Sequence, residues 1–173
     1  MEVYGYTANN WPVKLNIIRE EDRCRAYADE PFAAYTSKLD NKYWYNTTEG
    51  WKNQRNDPGV EILEKGRSYK YTKYIANWAD FLKNPLGERI EIVPLKDPTS
   101  MKQGDKLPVK IYFEGKPTDS ARLSNSSSMT ADTHELSEIS GKGPFKVTIG
   151  APGPQMITAK YVLPAGEKRV VWF

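Results

Sequence analysis

The sequence predicts an all-β protein of two small β units, on three observations. Short segments alternate polar and apolar residues, turn-forming residues fall between them at close spacing, and no stretch carries apolar periodicity over the length of a helix. The chain holds 12 glycines and 12 prolines, which supply that punctuation.

At 173 residues the chain suffices for one ample core or two small ones, against roughly 100 to 200 residues per domain. Aromatic residues separate the halves, since 15 of 21 precede Pro85. Pro85 and Gly87 interrupt regular structure at that point. The expected division is therefore an aromatic-rich β unit over 1–85 and a second unit over 86–173.

In the first unit, Phe32 to Lys38 and Lys42 to Thr47 flank Asp40-Asn41, two residues that tolerate positive φ, and a β-hairpin is expected. Arg67 to Ile75 predicts a strand with Tyr69, Tyr71 and Lys73 on one face and Lys70, Thr72 and Tyr74 on the other. Glu20 to Ala28 has helix propensity, and Asn77 to Lys83 predicts a helical turn behind an Asn cap.

The second unit reads as strands and turns. Arg89 to Leu95 alternates so that Ile90 and Ile92 share one face of a half-buried strand. Leu107 to Phe113 does the same with Leu107, Val109, Ile111 and Phe113, and Glu114 to Pro117 is a turn. Ala121 to Leu123 begins another strand, and Ser124 to Ser128 marks a polar loop. Phe145 to Ile149 and Met156 to Val162 are β-rich segments expected to lie as antiparallel neighbours across Gly150 to Pro154. This spacing of strands predicts an immunoglobulin-like or transthyretin-like antiparallel β-sandwich.

Charge and length exclude several classes. With 25 basic against 22 acidic side chains the net charge of +3 gives a weak field, so nucleic acid is not an expected partner. No apolar run approaches the roughly 18 residues of a membrane span. Met1-Glu2-Val3-Tyr4 lacks the basic start and apolar middle of a secretion signal. The single cysteine, Cys24, cannot close an internal disulfide, and the single histidine, His134, excludes a site of several imidazoles within one copy.

Three blocks carry a family resemblance. They are Tyr43 to Gln54, Ser68 to Lys73, and Leu86-Gly87-Glu88-Arg89-Ile90-Glu91-Ile92-Val93-Pro94-Leu95 continuing through Gly104 to Lys110 and Glu114 to Pro117. Together they resemble a bacterial family of unknown-function proteins commonly labelled a periplasmic component of cobalt or nickel ABC uptake systems. The resemblance extends from about Asp29 onward. It implies a periplasmic or secreted all-β protein with a membrane transporter as partner, its signal peptide absent from this sequence. Members of that group often begin the mature chain with a histidine, which this sequence does not show near its start.

One local set suits a divalent metal such as nickel or cobalt: Asp132, His134 and Glu135, with Glu138 close behind. A solvated polar loop is the plainer reading of the same residues. Cys24 lies between Arg23 and Arg25, which would favour its thiolate, but a buried inert thiol is expected. No nucleophile elbow, phosphate-binding glycine loop or zinc-spaced cysteine set occurs, so no enzyme is expected.

Tyr43, Trp44, Tyr45 and Trp51 are the candidates for ligand contact, because Tyr and Trp offer flat apolar faces with a hydrogen-bonding edge. On a strand Tyr43 and Tyr45 share a face that Trp44 does not, so part of the set must be structural. The expected function is a non-enzymatic extracytoplasmic binding or accessory protein, serving nickel or cobalt uptake. The alternative is a carbohydrate-binding or cell-surface adhesion module that uses the aromatic unit.

Overall fold

The computed structural model describes residues 1–21, 23–53, 60–124, 127–128, 136–138, 141–161 and 170–172. Seven strands precede residue 76: β1 (Glu2–Tyr6), β2 (Pro12–Lys14), β3 (Asn16–Arg19), β4 (Cys24–Tyr27), β5 (Ala34–Thr47), β6 (Gly50–Lys52) and β7 (Ile62–Ile75). After a 3₁₀ turn at Asp80–Lys83 come β8 (Ile90–Pro94), β9 (Lys106–Phe113), β10 (Lys116–Pro117), β11 (Ala121–Ser124), β12 (Ser127–Ser128) and β13 (Leu136–Glu138). The remaining strands are β14 (Phe145–Thr148), β15 (Gln155–Met156), β16 (Ala159–Tyr161) and β17 (Val170–Trp172). The protein is all-β, as the alternating segments require, and no helix among the described residues is long and apolar enough to cross a membrane.

One sheet runs β17-β7-β5-β1-β2, with β6 added to β5. Its spine is the antiparallel β5–β7 ribbon, 14 residues on each strand, or about 45 Å at the usual rise of roughly 3.3 Å per residue. The hairpin expected at Asp40-Asn41 does not form. β5 instead runs straight through, and the register steps from Asp40↔Tyr69 to Tyr43↔Arg67, so three steps on β5 face two on β7. That is a β-bulge, with Lys42 at φ 62. Residues that tolerate a turn serve equally at a bulge, and here the long partner β7 keeps the chain extended.

Glu20 to Ala28 is likewise not helical. Glu20 N–H donates to Arg23 O at 2.8 Å, closing a turn between β3 and β4. Asn77 does not cap the 3₁₀ turn, whose preceding residue is Ala79; its side chain donates to the Phe32 carbonyl at 3.3 Å instead. One face of this sheet, at β1, packs on the small core of Val3, Leu15 and Phe32. Gly5 is required there, because a Cβ would stand 2.6 Å from the Phe32 ring.

The larger core lies between two other sheets. β9 pairs with β8, β10 and β14, and it turns Leu107, Val109 and Ile111 inward, all three buried. Opposite it, β11 pairs with β13 and β16 and contributes Ala121 and Leu123. Phe113 and Tyr161 stack across the gap with ring centroids 4.1 Å apart. Facing apolar layers of this kind make an antiparallel sandwich. Glu114 and Gly115, both at positive φ, form the turn, so that Lys116 and Pro117 already pair back on β9.

Two expectations fail in this part. Phe145 to Thr148 pairs with β9 while Ala159 to Tyr161 pairs with β11, so these segments lie in different sheets rather than side by side. β8 is buried on both faces, with Glu91 and Val93 as inaccessible as Ile90. β17 crosses back to pair parallel with β7.

Candidate functional site

The far end of the β5–β7 ribbon carries the exposed aromatic residues. Cross-strand partners share a face, and the register pairs Tyr43 with Arg67 and Tyr45 with both Lys65 and Lys52. Tyr43, Tyr45, Lys52, Lys65 and Arg67 therefore stand on one face. Trp44 opposes Gly66 and Trp51 opposes Asn46, which puts both tryptophans on the other.

Arg67 organises the first face. Its guanidinium lies 5.6 Å from the Tyr43 ring centroid and 5.3 Å from that of Tyr69, and it bonds both oxygens of Asp40, with Nε to Oδ1 at 3.2 Å and Nη2 to Oδ2. Asp40 also accepts the Lys42 N–H at 3.1 Å. The Arg67 hydrogen bond, reinforced by that amide, holds the Asp40 carboxyl down at about 2. The bulge is thus tied to the ribbon by a charge-assisted fork, and Tyr43 is presented with half its surface, 50%, exposed.

The four aromatic candidates have different surroundings. Trp44 is half-buried, and its indole N–H donates to the Asn41 carbonyl at 3.0 Å, which makes it a lock on the bulge. Tyr45 is half-buried between its lysine partners. Trp51 is 49% exposed, so Tyr43 and Trp51 are the rings open to solvent, on opposite faces. Asp132, His134 and Glu135 lie outside the described residues. Among the described residues no group of three His, Cys, Asp or Glu is placed to hold a metal ion.

Cys24 is exposed on β4, contrary to the expectation of a buried thiol. Every residue of β4 is exposed, so the hairpin offers no core to bury it. The flanking arginines are drawn to one carboxylate, with Arg23 Nε 3.2 Å and Arg25 Nε 3.0 Å from the two oxygens of Glu20.

A second constellation, which sequence reasoning missed, lies where β8 meets the N-terminal sheet. Glu91 accepts three successive backbone N–H groups, from Leu86 at 2.9 Å, Gly87 at 2.8 Å and Glu88 at 2.9 Å, and the Lys73 ammonium at 3.1 Å. Gly87 sits at φ +98, a conformation that L side chains rarely adopt and that forms the curved run of donors. Burial pushes the Lys73 pKa down, and Glu91 opposes that shift. The most specific block of the resemblance, Leu86 to Glu91, is thereby explained as a carboxylate-anchored turn. A lone acid in an apolar strand, four residues after a glycine, was the signal available.

Beside this anchor the Thr36 hydroxyl is buried next to Tyr6 and Glu88. Glu88 is raised by its own burial and by the nearby charge of Glu91, and Tyr6 is raised chiefly by burial. The polar layer holds two parts of the molecule together.

No curated protein and no solved structure matches the chain significantly. A family model does, that of the Domain of unknown function (DUF4198), over residues 21–163. That span takes in most of the chain, including β5 to β16, and the protein belongs to this family.

Proposed function

We propose that the protein is a non-enzymatic extracytoplasmic binding protein whose ligand is met by the far end of the β5–β7 ribbon. The observation that carries this reading is the presentation of Tyr43 and Trp51, each about half exposed, on a three-stranded end stiffened by the Asp40–Arg67 fork. Rings held by a rigid scaffold lose little entropy on contact, which suits recognition of sugars. The extracytoplasmic placement rests on the family resemblance of the sequence.

Affinity electrophoresis tests the reading, with wild-type protein, Tyr43→Ala and Trp51→Ala run through gels containing dextran, xylan or polygalacturonate. Retardation of the wild-type chain that one of the two substitutions abolishes is expected, since the two rings lie on opposite faces. Unretarded migration in every gel would overturn it.

A second reading is capture of nickel or cobalt for a membrane transporter. It is favoured by the sole histidine, His134, lying between Asp132 and Glu135 in a chain of this resemblance. Calorimetric titration of the untagged, metal-stripped protein with nickel(II) and cobalt(II) decides it. Saturable heat lost in His134→Ala supports metal capture, and absence of heat removes it.

A further inference from the structure

The two faces of the ribbon end differ in charge, and the difference names a class of ligand. Across the first face runs a row of three strands, Lys52 on β6, Tyr45 on β5 and Lys65 on β7, in direct register. The next row pairs Tyr43 with Arg67. Three cations thus frame two tyrosines. Lys52 and Lys65 stem from strands on either side of β5, roughly 10 Å apart at the usual strand spacing.

Among the described residues, two acids near this face are already paired. Asp40 is held by Arg67, and Glu49 accepts the Lys52 ammonium at 2.7 Å while remaining 60% exposed. An exposed pair of that kind contributes little to stability. Lys65 is exposed and is fixed on a strand rather than a loop. The tryptophan face presents Glu64 in register with Asn46 and, among the described residues, no comparable row of cations.

We infer that this face binds an anionic glycan, with pyranose rings laid on Tyr43 and Tyr45 and a carboxylate met by Lys65. The inference rests on the binding reading above and narrows it to one face and one charge. An extended uronate chain repeats a carboxylate beside each stackable ring, which matches cations flanking an aromatic row. A single-stranded nucleic acid would also bring rings and charge. The near-even charge of the whole chain, +3 net, supplies little of the surrounding field such a polymer draws on.

Binding to polygalacturonate, dextran and an oligothymidylate is measured by fluorescence anisotropy for wild-type protein, Lys65→Glu, Tyr43→Ala and Trp51→Ala. Polygalacturonate is expected to bind in preference to both other probes. Lys65→Glu weakens it about tenfold by losing one attraction and adding one repulsion, Tyr43→Ala abolishes it, and Trp51→Ala leaves it unchanged. Raising salt to about 1 M, where the screening length falls to about 3 Å, weakens it further.

Equal binding of dextran, or indifference to Lys65→Glu, overturns the anionic assignment and leaves the binding reading standing. Preference for the oligothymidylate also overturns it. Loss on Trp51→Ala with Tyr43→Ala silent moves the site to the other face and overturns this one. No binding of any probe defeats both readings. Circular dichroism of each variant confirms that the β fold is retained.

Discussion

Lys73 on β7 and Glu91 on β8 form an ion pair of 3.1 Å whose side chains are only 11% and 2% exposed, and this pair fastens the N-terminal sheet to the sandwich. Neither charge could be buried alone, since an unpaired ion in the interior costs several kcal/mol. Three backbone amides satisfy what Lys73 leaves of the carboxylate.

Removing the carboxylate charge should therefore hurt more than removing the ammonium. Glu91→Gln leaves Lys73 buried and unpaired and places an amide against backbone donors, at a cost of about 3 kcal/mol or more. Lys73→Met leaves the carboxylate with its three amides and costs less. Urea denaturation of both variants gives the comparison, and equal losses would contradict it.

Asp40 sets a pH dependence of known sign. Its carboxyl is held at about 2, below the ordinary 3.8, chiefly by the Arg67 hydrogen bond. A depressed carboxylate contributes stability that is present above 3.8 and is lost as pH falls towards 2. Asp40→Asn should lower the melting temperature at neutral pH, and the gap to wild type should close across that window. A gap that persists below pH 2 would show that the fork is not its source.

Glu88 works in the opposite sense. Its carboxyl is raised above 4.5, first by burial and then by Glu91, so the charged form opposes folding. Stability associated with it is full below 4.5 and falls as pH rises through the raised value. Glu88→Gln should accordingly melt higher than wild type at neutral pH and match it in acid. A variant less stable at neutral pH would show that the Thr36 hydrogen bond and the attraction to Lys38 outweigh burial of Glu88.

Gly5 tests the small core. Its absent Cβ leaves room for the Phe32 ring, 2.6 Å from where that atom would lie, and Phe32 is 2% exposed. Gly5→Ala should cost about 1–3 kcal/mol through overpacking. Combining it with Phe32→Leu, which frees space on the same face, should recover part of the loss in chemical denaturation.

Local pattern by itself determined the all-β class, the strand at Leu107 to Phe113 and the faces of Tyr69, Tyr71 and Lys73. Alternation of side chains is a property of the strand alone and needs no partner to be read. Tertiary structure decided the rest. Asp40-Asn41 became a bulge because β7 continues past it, Glu20 to Ala28 became half of a hairpin because β3 lies alongside, and β14 and β16 went to separate sheets. In each case a local preference was weaker than long-range pairing.

The candidate site divides in the same way. Exposed aromatics were legible as residue types, but only strand register shows that Tyr43 and Tyr45 share a face with three cations while Trp44 locks the bulge. The Glu91 anchor showed in sequence only as a lone acid four residues after Gly87, because its donors are backbone amides whose direction is set by the conformation there.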